Sequence, residues 1–182
     1  MAKNKHTKNK QNKQGRPSHA DALLVLRLYD LRRETVMRES RKTIASWMPR
    51  SFEDVQAIIN LEDPRNAAWR QVSSYYEMAF GFARHGIVPA DFLAENTGEG
   101  LFLYAKIEPH LKAFRKQLSP TAFRNSEWLV KKSPAAQERL KLFKKRVATM
   151  LAKPGTPGAN AAPLRAAGER EESRLESGAV GR

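Results

Sequence analysis

The chain has 182 residues, 41% hydrophobic and 29% charged, with 33 Lys and Arg against 19 Asp and Glu for a formal charge of +14. That length and composition suit one ordinary globular core. The absence of cysteine excludes disulfides, thiolate nucleophiles and cysteine-based zinc sites, and fits a reducing compartment.

The charge is unevenly spread. Residues 1–17 hold +6 with no acid, the segment from Lys153 onward holds +1, and the body between them holds the remaining +7. The opening MAKNKHTKNKQNKQGRPS has nothing apolar to offset the entropy of ordering it, and reads as a disordered basic tail. No apolar run follows it of the kind a signal peptide needs. The most apolar window, residues 22–31, is interrupted by Arg27 and Asp30 and is far shorter than the ~20 residues needed to cross a bilayer. A cytoplasmic protein without integral membrane association is the expectation.

Helical spacing then runs through residues 18–152. Ser18 followed by Asp21 predicts an N-cap, and one helix is expected from there to about Trp47, stopped by Pro49. Its stripe is Ala22, Val25, Leu26, Tyr29, Val36, Met37, Ile44 and Trp47, with Leu24, Leu28 and Leu31 on a second flank. Ser51 and Asp54 cap a short helix through Ile59, and Asp63 with Pro64 start a third that ends at Gly86. Trp69, Val72, Tyr76, Ala79, Phe80 and Ala83, joined by Tyr75, Met78 and Phe82, make that helix apolar around well over half its circumference, as a central helix requires. Pro89 opens a short helix ending near Asn96. Tyr104, Ile107, Leu111, Phe114 and Leu118 then predict one helix bent at Pro109. Asn125 is read as the cap of a short helix around Trp128. Ser133 and Pro134 start the last helix, with Ala136, Leu140, Phe143, Val147 and Met150 on one face.

No alternating apolar run suggests a strand. The expected fold is all-α: an irregular bundle of six to seven helices over residues 18–152. The Pro/Gly/Ala-rich segment 153–182 reads as a second disordered tail.

Within residues 74–128, Tyr75, Tyr76 and Glu77 are followed by Gly86, Ile87 and Val88, by Glu108, Pro109 and Arg115, and by Asn125, Ser126, Glu127, Trp128 and Leu129. This order resembles an uncharacterised bacterial domain-of-unknown-function family, the 4760 type. The resemblance implies a helical fold and brings no settled activity. Members often carry an N-terminal membrane helix, which this chain does not show.

Candidate chemistry is sparse. His6, His19, His85 and His110 have no pairing at metal-ligand spacing, and His85 suits the negative end of a helix dipole. Asp91 and Glu95, a turn apart, and Glu99 read as a solvated acidic face. Arg33 falls inside the first apolar stripe, where its stem can lie on the core and its head reach water. Glu77 projects onto the polar arc of the central helix and is expected to point outward. Glu34 and Arg38 form an i, i+4 pair. Tyr75, Tyr76, Phe80 and Phe82 have core spacing rather than that of a base-stacking platform. Phosphate-binding loops and a nucleophile elbow are missing, so a non-enzyme without metal or cofactor is expected.

The strongest patch is basic. The segment 126–152 carries Lys131, Lys132, Lys141, Lys144 and Lys145 with Arg139 and Arg146, against two acids. Those five lysines, with Lys3, Lys5, Lys8, Lys10, Lys13 and Arg16 of the tail, are the candidate nucleic-acid contacts, RNA preferred, through phosphate attraction with little sequence preference. The alternative partner is an acidic protein, or a scaffold role through Leu24, Leu28 and Leu31. An enzyme acting through acids and arginines in an interhelical cleft is the third reading.

Overall fold

The structure, a computed structural model, describes residues 16–152. The described part of the chain is helical throughout, with α1 His19–Arg33, α2 Thr35–Ser46, α3 Phe52–Ile59, α4 Asn66–Arg84, α5 Ala90–Asn96 and α6 Gly98–Ile107. After α6 come a 3₁₀ turn Glu108–His110, α7 Leu111–Gln117, α8 Arg124–Lys132 and α9 Pro134–Ala152. The all-α bundle read from the sequence is therefore found. Its helices outnumber the six to seven expected because two of them are divided.

The first division is at Glu34, whose backbone turns extended (φ −56°, ψ 141°). Its carboxylate accepts the N–H groups of Val36 at 3.1 Å and Met37 at 2.9 Å, making it the N-cap of α2. Hydrogen bonds to these two amides hold its carboxyl below the usual range. The expected Glu34–Arg38 pair is thus replaced: Arg38 Nη2 donates to the Arg33 carbonyl at 2.9 Å. The break resets the helical phase. Val25 and Leu28 point inward from α1, and Met37, Ile44 and Trp47 from the stretch after it, while Leu26, Tyr29 and Val36 of the expected stripe are exposed. Arg33 is exposed as well.

The second division is at Pro109, where the ladder tightens into the 3₁₀ turn between α6 and α7. A proline inside a helix removes a donor and crowds the preceding turn, so a bend was expected there. Leu111 and Phe114 stay buried beyond it, but Leu118, at the end of α7, is exposed.

Helix α4 is the centre, packed on α2 and α8. Tyr76, Ala79 and Phe80 have essentially no exposed surface; each side chain as large as Phe80 contributes roughly 2 kcal/mol by leaving water. Gly100 lets α6 approach: a Cβ there would stand 2.5 Å from Tyr76 Cδ1 and 2.6 Å from Phe80 Cζ. Buried Asn66 donates to the Ile58 and Ile59 carbonyls at 3.0 and 2.9 Å, satisfying the C-terminus of α3. Phe123 enters α8 at φ 52°, an uncommon conformation for a bulky residue. It sits in an aromatic cluster, its ring centroid 5.9 Å from Trp69 and 6.1 Å from Phe114.

Candidate functional site

The basic residues singled out in the sequence fall in several places. Lys3, Lys5, Lys8, Lys10 and Lys13 lie outside the described residues, and Arg16 is exposed at their edge. Lys131, Lys132, Lys141, Lys144 and Lys145 are all exposed. Lys131 pairs with Glu127 at 2.8 Å, one turn back on α8, and Lys144 pairs with Glu108. Lys132, Lys141 and Lys145 enter no ion pair among the described residues. Tyr75, Tyr76 and Phe80 are buried core and Phe82 packs against it, as their spacing indicated.

The acids behave differently from expectation. Glu77 does not point outward: its carboxylate accepts the N–H groups of Asn125 at 3.1 Å and Ser126 at 2.9 Å, and the Ser126 hydroxyl at 2.5 Å. Helix α8 is therefore capped from α4, by Glu77, and not by Asn125. The Asn125 amide instead donates to the Glu77 carbonyl at 2.8 Å and accepts from Arg84 at 3.1 Å. Asp91 is exposed yet committed, accepting the Ser133 hydroxyl at 2.5 Å and the Ala135 N–H at 3.3 Å at the start of α9. Glu95 remains exposed. The residues of the family resemblance thus act as joints between helices, with Arg115 bridging to Glu127 at 2.9 Å and donating to the Ala122 carbonyl at 3.0 Å.

Glu99 keeps 45% of its side chain exposed, as a solvated acid would, yet it is the most heavily engaged of the three. Arg41 grips it through Nε at 2.6 Å and through Nη2, Arg32 Nη2 reaches it at 3.2 Å, and the Tyr76 hydroxyl donates to it at 2.7 Å. Burial works to raise the Glu99 carboxyl, but the Arg41 and Tyr76 hydrogen bonds and the two guanidinium charges outweigh it and leave the group below the usual range. The Tyr76 hydroxyl is pushed up by burial and by the Glu99 charge. Arg41 Nη1 also donates to the Arg32 carbonyl at 3.1 Å, tying α2 to the end of α1. Arg32 Nε is buried with no partner among the described residues.

Glu99, Arg41 and Tyr76 of this cluster line a cleft of about 410 Å³ reached by α2, α4, α6 and α9. Lys106 lies at its base, 2% exposed, with Nζ donating to the Ile44 and Ala45 carbonyls at 2.8 and 3.0 Å. The ammonium is 4.4 Å from the Phe102 ring centroid, and the Arg146 guanidinium 4.9 Å from the same ring. Burial, with a smaller push from Arg146, lowers the Lys106 pKa to about 7; the two carbonyl acceptors work against that shift. Sequence reading missed this site because its charged members come from helices far apart in the chain. The one available signal was a lysine, Lys106, among the apolar residues of α6.

Among the described residues no group of three His, Asp or Glu side chains could hold a metal ion, and no helix is long and apolar enough to cross a membrane. The model of the family described as Domain of unknown function (DUF4760) matches residues 17–133. No curated protein and no solved structure gives a match.

Proposed function

The chain belongs to the DUF4760 family, a domain of unknown function, and we propose that it is a non-enzymatic helical interaction module for an anionic partner. The partner class is nucleic acid, RNA first, engaged by the basic tail together with the outer face of α8 and α9. The observation that carries this reading is that Lys132, Lys141 and Lys145 stay exposed and outside ion pairs among the described residues. Such lysines are free to replace counterions along a phosphate backbone. The test is filter binding of the intact chain, a deletion of residues 1–17 and a Lys132→Ala/Lys141→Ala/Lys145→Ala variant, against mixed RNA and DNA across a salt series. Affinity should fall steeply with salt. Loss of all six tail cations should flatten the single-strand slope by up to about 4. Binding that is absent or insensitive to salt refutes the reading.

A second reading, a scaffold that binds protein or itself, is favoured by α1. Leu23 and Leu26 are 53% and 60% exposed one turn apart, whereas of the flank suggested by the sequence Leu31 is exposed, Leu24 half-buried and Leu28 buried. Gel filtration separates the two readings, because an apolar interface persists at high salt where an electrostatic one fades.

A further inference from the structure

We propose that the cleft between α2, α4, α6 and α9 binds a small amphipathic anion: a carboxylate or phosphate head carried on an apolar body. The head is held by Arg38, Arg146 and Lys106, and the body lies against Ile44, Val72 and Phe102. This site is independent of the nucleic-acid surface and uses none of its lysines.

Charge selects the sign of the ligand. Arg38, Arg41, Lys42, Lys106 and Arg146 all line the cleft, with Glu99 as the acid facing them. Glu99 is already engaged by Arg41, Arg32 and Tyr76, so it has little left to offer a further cation. Arg38 and Arg146 have no acidic partner among the described residues, and the pair that Lys42 makes with Glu39 is long, at 4.0 Å, and exposed. Lys106 spends two of its three N–H groups on carbonyls. A 2%-exposed amine in a cleft shared with further cations stays protonated only at a cost, which an anion joining them would offset.

The walls select the rest. Ile44, Val72, Phe102 and Leu103 give the cleft an apolar lining, which inorganic phosphate would leave in contact with water. A cleft of about 410 Å³ falls at the small end of the range typical of ligand sites, roughly 300–1,000 Å³. It suits a short acyl or aromatic acid. The family match covers residues 17–133, so Arg38, Arg41, Lys42 and Lys106 lie within it and Arg146 on α9 lies beyond it.

The experiment uses the full chain and 1-anilinonaphthalene-8-sulfonate, an aromatic anion whose fluorescence reports binding, with displacement by decanoate, decyl phosphate, decanol and inorganic phosphate. Saturable binding is expected, displaced by decanoate or decyl phosphate and at least tenfold less well by decanol or inorganic phosphate. Whichever acid displaces better identifies the head group. Arg38→Ala/Arg146→Ala should weaken binding at least tenfold. Ala45→Trp, at an exposed position on the cleft wall, should block it without removing a charge. Lys141→Ala/Lys145→Ala should leave it unchanged, and circular dichroism melts verify that each variant is folded. The proposal is overturned if the probe does not saturate, if decanol or inorganic phosphate competes as well as the acids, or if the α9 surface lysines matter as much as the cleft arginines. Nucleic-acid binding can fail in its own assay without altering any of these results.

Discussion

Removing the Glu77 carboxylate tests the account of how α4 and α8 are joined. Three donors converge on it, from Asn125 N, Ser126 N and Ser126 Oγ, and Ser126 is only 1% exposed. Loss of an N-cap acceptor alone costs about 1 kcal/mol. Glu77→Ala also strands the Ser126 amide and hydroxyl away from water, and each buried unpaired donor costs about 1–3 kcal/mol. The amide contribution and the cap overlap and are not summed, so the expected total is about 3 kcal/mol. Glu77→Gln keeps one acceptor oxygen and should cost roughly half as much. Urea unfolding followed by circular dichroism measures both; at a slope near 2 kcal/mol/M, within the usual range for small proteins, the alanine variant should lower the midpoint by about 1.5 M. Glu95→Ala removes an exposed carboxylate from α5 and should change stability by no more than about 0.5 kcal/mol. If Glu77→Ala destabilises no more than Glu95→Ala, the carboxylate is not the cap of α8 and the interhelical account fails.

Gly100→Ala should destabilise by about 3 kcal/mol in the same unfolding assay. The added methyl meets the rings of Tyr76 and Phe80 at 2.5 and 2.6 Å, and rigid aromatic groups in a packed core cannot step aside cheaply; a variant as stable as the parent would show that α6 and α4 are not in this contact. Lys106→Met supplies a pH test. With its folded pKa near 7 and an unfolded value near 10.4, Lys106 binds fewer protons folded than unfolded between those limits. Its burial cost is therefore fully present below pH 7 and lifts as pH rises toward the unfolded value. The stability of the parent relative to Lys106→Met should climb between pH 7 and 9 at a slope approaching about 1.4 kcal/mol per unit. A flat difference would mean that burial does not shift the amine.

Contacts within a few residues were readable in advance. Ser18 and Asp21 bond reciprocally, with the Asp21 N–H on Ser18 Oγ at 3.2 Å and the Ser18 N–H on Asp21 Oδ2 at 2.7 Å. Asp54 accepts the Ser51 N–H at 3.1 Å, and Ser133 Oγ accepts from Ala136 N at 3.0 Å. These caps join residues three apart, so residue order places both partners in one turn whatever the rest of the chain does. The burial of Tyr76, Ala79 and Phe80 was readable for a similar reason: an apolar arc that wide needs neighbours on more than one side.

Glu34 marks the boundary of such reading. Its role is local, yet the stripe from Val25 to Trp47 is also compatible with an uninterrupted helix, and nothing in the spacing distinguishes a cap from an i, i+4 ion pair. The phase of α1 relative to α2, and with it the exposure of Leu26 and Val36, follows from how the two helices dock. Glu77, Glu99 and Lys106 lie further beyond reach, since their partners stand 48, 58 and 62 residues away. An amphipathic projection sorts side chains by angle around their own helix and contains no information on which charge a neighbouring helix presents there.

Residue order alone determined that this chain is helical, where most helices start, which one is central and how positive its body is, because helix pitch, capping and charge are properties of short segments. Docking of those helices decided which charges meet, turning polar-arc acids into joints and gathering arginines and a buried lysine around one cleft, because electrostatic partnership depends on distances in space that separation along the chain does not set.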